Sequence, residues 1–437
     1  MAENRPMGQA VGIIGKEPEA LILSVLFAEA KVANILAGPF EPSTDRRPTK
    51  NPLEEARRLL RIHTSSGNIT LLDNPDGFPF PDIPNLVLTS HVDESQEVSL
   101  QERTIRSISK NILSGSNIVL TGLCSPGHAA TIASIIERHG GLKVGSDIGL
   151  WYMPLLWAGE SLRSFRETPR IIAGTGVKQV SSVEELFLRA FPAIRSTMSV
   201  RAAEAAGLFA PVYREVVGAL ELELANLCVE QSVDYADALD LCRGVGLDSL
   251  RAPRPFPSRD SIGSKIALSS ASSGGPRLIR AARRTNEQSD RQIMTMVKSA
   301  LARCDQRLRH SRIAILGLEG LGVDNAMRRE PIGLLQVLKR RGAAISVYPG
   351  NGLNWVNNDS LGMQVRIERT MTGAVEKAHC ALVALDRLEI GELNPHKLAA
   401  EMNRPAAICD LTGMLEASNV EKVGLLYTSI GRGKMEV

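Results

Sequence analysis

GIIGKEPEALIL, Gly12 to Leu23, holds the reading on which the fold turns. With Val11 before it, Val11–Ile14 is a short uninterrupted apolar run, the pattern of a strand buried on both faces, and Gly15 ends it at a turn. A dinucleotide loop would continue with two more glycines, so that the backbone can approach a pyrophosphate and the next helix can lie close on the sheet. Glu17 and Ala20 stand at those positions, with Pro18 between them. The strand and turn of a doubly wound domain are in place, and the phosphate-cradling letters are reduced to Gly15.

Working outward, Leu86–Thr89, Asn117–Thr121 and Ile148–Tyr152 read as further buried strands, with helical patterns over Pro52–Ile62 and His128–His139 between them. Strands that alternate with helices imply a mostly parallel sheet covered on both faces. FPFPDIP, Phe78–Pro84, is a proline-punctuated loop. From Ser199 to about Gln231 the texture becomes one long helical pattern, with Leu208, Val212, Val216 and Leu220 as its apolar stripe and a kink expected at Pro211. Asp234–Cys242 continues helically and Arg251–Pro257 is a loop. Pro276–His310 returns to helix. Between Arg277 and Arg312 ten Arg or Lys face three acids, a run that serves either as a polyanion-binding face or as a solvated connector. A second α/β unit follows: strand Arg312–Leu316, a glycine-rich turn at Gly317–Gly322, helix Pro331–Arg340 and strand Ala344–Tyr348. Strands at Ala381–Leu385, Ala406–Asp410 and Leu425–Tyr427 complete it.

The expected fold is therefore α/β: two Rossmann-like parallel-sheet domains, 1–198 and 301–437, joined by a helical dimerisation region, 199–300. Aromatics make up only 4% of the chain, too few for a carbohydrate-stacking or single-strand nucleic-acid surface, and a net charge of +3 singles out no partner. No nucleic-acid-binding pattern is present. Six scattered cysteines without a CxxC pair point to reduced thiols in a cytoplasmic protein, and neither they nor the seven histidines have metal-ligand spacing. No apolar segment has the length of a membrane span, and no signal peptide is evident.

Several strings, in this order, resemble the UDP-glucose/GDP-mannose (nucleotide-sugar) dehydrogenase family nearly end to end. They are LCSPGHAATIASIIERHGGLKVGSDIGLWYMP (Leu123–Pro154), PRIIAGT (Pro169–Thr175), SVRAAEAAGLFAPVYREVVGALELELANLC (Ser199–Cys228), RIAILGLEGLGVDNAMRREPIGLLQVLKRRGAAISVYP (Arg312–Pro349) and YTSIGRG (Tyr427–Gly433). The resemblance implies oxidation of a sugar primary alcohol to a carboxylate by two hydride transfers to NAD, with a thiol holding the aldehyde. It also implies a two-fold dimer through the central helix.

Measured against that pattern, the chemical letters are replaced. The family's GxGYVG keeps only Gly15, and the acid expected after the second strand is represented by a displaced Glu41. The nucleophile's GGxCxPxD corresponds to PRPFPSRDSIG, Pro253–Gly263, which puts Phe256, or with a one-residue gap Pro255, at the thiol position. In the family's AExxKLxxN, aligned on Ala203-Glu204, the lysine becomes Gly207 and the asparagine Pro211. The threonine of STVPPGT becomes Leu123, and the glutamate of SPER becomes Leu155. In the family's FKPxTDDxRxSP, Leu321 replaces the lysine while Arg328 and Pro331 remain.

Arg328, Asp260 and Arg259 are the ligand-binding candidates, each with a plain structural alternative. Cys124 and His128 invite a nucleophile–base reading, and the alternative is a helix start capped by Ser125. Because catalytic groups act as a unit, these replacements predict a catalytically inactive homologue that needs no cofactor. It would act as a binding or assembly module with a protein partner such as an active paralogue. The alternatives are a nucleotide-sugar sensor and an NAD-dependent dehydrogenase of altered chemistry.

Overall fold

The computed structural model describes residues 10–432 apart from 17, 44–51, 75–77, 90–99, 155–160, 176–179, 243, 248–249, 253–266, 268, 270–274, 319–331, 351–357, 359–362 and 386–389. The chain divides into two compact units, Met1–Ala210 and Pro211–Val437.

The first unit is built on eight strands: β1 (Val11–Ile14), β2 (Asn34–Ala37), β3 (Ile69–Leu72), β4 (Asn85–Thr89), β5 (Asn117–Thr121), β6 (Gly149–Met153), β7 (Arg170–Gly174) and β8 (Ile194–Thr197). They lie in the order β3-β2-β1-β4-β5-β6-β7-β8, parallel throughout except where β6 meets β7. The first six reproduce the doubly wound order, whose direction of winding reverses between β1 and β4. In such sheets ligands bind beyond the carboxyl ends of the strands at that reversal. The helices are α1 (Pro18–Glu29), α2 (Pro52–Ser65), α3 (Leu100–Ile108), α4 (His128–Gly140), α5 (Leu162–Glu167) and α6 (Val180–Ala190).

β1, β4, β5 and β6 are buried at every position, as strands covered on both faces must be. α1 departs from the usual amphipathic helix, since Glu19 to Ala28 are all buried and no polar stripe exists. Packing against its neighbours holds it: the Phe27 ring meets Phe187 of α6 edge-on at 5.2 Å, and His63 of α2 reaches Glu29 at 2.7 Å. Two apolar layers, one around α1, α2 and α6 and one around α3 and α4, sandwich the sheet.

α7 (Val200–Glu230) is continuous through Pro211, which stands inside it at the boundary between the units. Proline offers no N–H to the carbonyl four residues earlier, so the Gly207 carbonyl loses its helical partner there. The expected stripe is only partly covered: Leu208 is buried, Val212 and Val216 are half-buried, and Leu220 is exposed.

The second unit contains α8 (Tyr235–Cys242), α9 (Arg277–Glu287), α10 (Ser289–Arg303), α11 (Ile332–Arg340), α12 (Met371–Val375), α13 (Pro395–Glu401) and α14 (Ala417–Glu421). Its strands are β9 (Arg312–Leu316), β10 (Ala344–Tyr348), β11 (Arg366–Ile367), β12 (Cys380–Val383), β13 (Ala407–Asp410) and β14 (Leu426–Ser429). They form an all-parallel sheet in the order β11-β10-β9-β12-β13-β14, the same winding as the first six strands of unit one. Gly317 follows β9 at φ +87°, and a Cβ there would lie 2.6 Å from the Ala384 carbonyl oxygen, so the turn admits only glycine. Two Rossmann-like sheets are thus present. Among the described residues no helix is long and apolar enough to cross a membrane.

Candidate active site

The carboxyl ends of β4, β5 and β6 carry a connected set of polar groups. Glu204, on the first turns of α7, is 1% exposed. Its carboxylate accepts from the backbone N–H of Gly127 at 2.6 Å and of Ala129 at 2.7 Å. Gly127 is the N-cap of α4 and supplies no side chain, so Glu204 caps that helix from a distance. Ser125 is not the cap residue; its carbonyl accepts from the His128 N–H instead.

Cys124 is buried on the loop between β5 and α4, and burial pushes its thiol up to about 12. The sulfur's partner is the Tyr152 hydroxyl of β6. That hydroxyl donates to the Gly122 carbonyl at 2.8 Å, and burial holds the phenol well above its ordinary range. His128 turns elsewhere: its Nε2 lies 2.8 Å from Gln101 Oε1 and its Nδ1 lies 4.0 Å from Glu102. The Cys124–His128 pair suggested by closeness in sequence does not form. A protonated thiol is a poor nucleophile. At mildly alkaline pH Cys124 is therefore expected to react with iodoacetamide about a thousandfold more slowly than an unperturbed thiol, as measured by mass spectrometry of time-quenched peptides.

The structure explains the glycine at residue 207. A Cβ on residue 207 would lie 2.9 Å from Pro154 Cβ and 3.0 Å from the Tyr152 hydroxyl oxygen. The space a longer side chain needs is filled by β6 and the residue after it, so a lysine is excluded there. Leu123 is half-buried beside Cys124. Leu155, Phe256, Pro255, Asp260, Arg259, Leu321 and Arg328 lie outside the described residues.

At the reversal between β1 and β4, Gly15 donates its N–H to Ala37 at the end of β2 (3.1 Å). A Cβ on Gly38 would strike the Gly15 carbonyl oxygen at 2.0 Å, so the turn after β1 and the end of β2 abut. α1 begins with Pro18 at its first position, where no N–H is needed. Ala20, counted above as a lost glycine, is wholly buried in the helix–sheet contact, and alanine is small enough for that role. These residues fit the pyrophosphate half of a dinucleotide: a helix N-terminus beyond a glycine at the strand end, and a close-packed first turn. For the ribose the described residues offer only Glu41, which is exposed and beyond the strand end. Glu17 lies outside the described residues. Among those described, no group of three or more His, Cys, Asp or Glu is placed to hold a metal ion.

In unit two, Asp410 ends β13 and is fully buried. It accepts from Thr412 N–H (2.8 Å), Thr412 Oγ1 (2.6 Å), Leu415 N–H (2.9 Å) and the Tyr427 hydroxyl (3.0 Å). Those four donors fix the loop after β13 to β14.

No protein-family model matches the chain. Among curated proteins, it is 23% identical over 421 residues to the UDP-N-acetyl-D-mannosamine dehydrogenase of Pyrococcus horikoshii, covering 92% of this chain and 91% of that one. The chain is thus similar over nearly its whole length to a nucleotide-sugar dehydrogenase. It is also 26% identical to the UDP-glucose 6-dehydrogenase of Rhizobium meliloti over 217 residues, 48% of each chain. Solved structures share the fold. UDP-D-ManNAc dehydrogenase from Pyrococcus horikoshii superposes with a TM-score of 0.76 at 19% identity, covering 97% of this chain and 99% of that one. UDP-N-acetyl-mannosamine dehydrogenase from Staphylococcus aureus gives 0.72 at 18%, over 97% and 98% of the two chains.

These findings overturn two expectations. The inactive binding module gives way, because the chain matches a dehydrogenase over nine-tenths of its length. The physical reason is that altered motif letters record which residue type was lost and leave open what now fills the space. Here a phenol, a thiol, an imidazole and a buried carboxylate stand at the sheet edge. The expectation of no cofactor also fails. The doubly wound order, the Gly15 turn and the buried Ala20 retain the dinucleotide-binding form of the fold, and only the middle glycine and the ribose acid depart from it.

Proposed function

We propose that this protein is an NAD-dependent nucleotide-sugar dehydrogenase that oxidises a UDP-sugar by altered chemistry, without the family's thiol, lysine and asparagine. The observation that carries the reading is the pairing of a near full-length match to a UDP-sugar dehydrogenase with titratable groups at the strand ends where such sheets bind ligands. When bound, NAD supplies the hydride acceptor. The protein's own part begins at the turn after β1, where Gly15 and the first turn of α1 orient a pyrophosphate. Tyr152 and Cys124 stay protonated and donate hydrogen bonds. Glu204 holds the loop that carries Cys124 and His128 against α7.

A homodimer is part of the proposal. Phe209, Tyr213, Leu220 and Leu227 of α7 are all exposed. At about 100° per residue they fall within roughly 40° of arc, an apolar strip suited to the same strip on a second copy. Light scattering is expected to give twice the chain mass, and a monomer would refute it. Six cysteines without a disulfide suit the cytoplasm.

The test is NADH formation by purified protein with NAD and UDP-N-acetylmannosamine, UDP-glucose or GDP-mannose. Sustained turnover with at least one UDP-sugar is expected. None with any of them at millimolar concentration would reject the reading.

A further inference from the structure

The proton acceptor of the reaction can be traced through one hydrogen-bond chain, an inference that rests on the dehydrogenase reading above. Gln101, on the first turn of α3, is 3% exposed. Its Nε2 donates to the Leu88 carbonyl of β4 and the Thr121 carbonyl of β5, each at 2.8 Å. Carbonyl oxygens only accept, so the amide has a single possible orientation and its Oε1 faces His128. That oxygen only accepts as well. The proton of the neutral imidazole therefore sits on Nε2, and Nδ1 carries the lone pair.

No described residue donates to Nδ1. The charged groups facing the ring are Glu102 of α3, 4.0 Å from Nδ1, and Glu204 of α7. Burial outweighs both and lowers the imidazole below its ordinary range, which keeps it neutral near pH 7. The other titratable groups at this edge are committed: Cys124 and Tyr152 stay protonated, and both Glu204 oxygens accept backbone N–H bonds. Among the described residues at the ends of β4, β5 and β6, His128 is the group with a free lone pair, kept neutral near pH 7 by its burial.

We propose that His128 is the general base of the alcohol oxidation, with Gln101 as the residue that fixes its tautomer. The substrate's O–H bond breaks and its proton goes to Nδ1. The carbinol C–H bond breaks with its electron pair, and bound NAD would supply the acceptor for that hydride. The carbon–oxygen bond becomes a carbonyl. The proton then leaves to solvent past Glu102, whose side chain is 18% exposed.

The experiment combines nitrogen-15 histidine NMR of the ligand-free protein with kinetics of wild type, His128→Ala and Gln101→Leu, using the best UDP-sugar of the panel and NAD. The NMR spectrum is expected to show His128 with protonated Nε2 and bare Nδ1, and the opposite tautomer would overturn the proposal. Wild-type kcat/KM should fall on the acid side with a midpoint below that of free histidine. His128→Ala should lose about 10²–10⁴-fold in kcat, together with the acid limb, and recover in part with added imidazole. Gln101→Leu should lower kcat about tenfold with KM little changed. His128→Ala within about threefold of wild type, or an acid limb that survives in it, would overturn the assignment and leave the dehydrogenase reading standing. A wild type that turns over no sugar would remove both.

Discussion

Glu204→Ala is expected to destabilise the protein by about 3–5 kcal/mol, the sum of two charge-assisted hydrogen bonds to backbone N–H groups that nothing else then satisfies. The side chain is almost wholly buried, and both bonds are short. Helix α4 would start with a glycine N-cap and no side-chain acceptor. For a unit of this size, each kcal/mol moves the midpoint by about 2–4 °C, so thermal melting should fall by roughly 6–20 °C. Glu204→Gln keeps an acceptor oxygen and should cost less than half as much. A Glu204→Ala melt within about 2 °C of wild type would show that the carboxylate does not hold the loop.

The second large effect is on reaction stoichiometry. Taking an aldehyde on to an acid by a second hydride transfer is made easy by a thiolate that traps it as a thiohemiacetal. Pro253–Gly263, where the resemblance would place the thiol, contains no cysteine. Burial raises Cys124 to about 12, and Cys304, Cys380 and Cys409 are fully buried. Cys228 and Cys242 are half-buried on α7 and α8. One NADH per sugar is therefore expected, with aldehyde as the product trapped by a hydrazine. Exhaustive alkylation of the accessible thiols should leave the rate within about twofold. Two NADH per sugar, or a rate that vanishes with modification of a single cysteine, would restore covalent catalysis.

Much of the fold was legible because parallel strands buried on both faces read as unbroken apolar runs. β1, β5, β9 and β10 have the bounds their sequences suggest. α1 was illegible for a related reason: a helix covered on all sides has no polar face, so PEALILSVLFAE shows no helical period. β3 and β8, short and partly exposed, gave no apolar run to find. At the site, the resemblance set Gly207 and Pro211 against a lysine and an asparagine but gave no sign that Tyr152 and Pro154 fill the space beside residue 207. It also paired Cys124 with His128 on nearness along the chain. The partners are Tyr152 and Gln101, which only the sheet brings together. The clue available in the sequence was Gln101 itself, a lone amide at the start of a helix whose importance depends on two carbonyls from different strands.

The packing at residue 207 bears on how this protein can change over time. A lysine introduced at that position meets Pro154 and the Tyr152 hydroxyl before its amine can do any chemistry. A working lysine is then out of reach by one substitution, since residues 152 and 154 must give way first. Changing either residue removes present packing or the hydrogen bond from Tyr152 to the Gly122 carbonyl. The site behaves as a ratchet: with Pro154 and the Tyr152 hydroxyl packed beside residue 207, any side chain introduced there is closed off by steric conflict until they move.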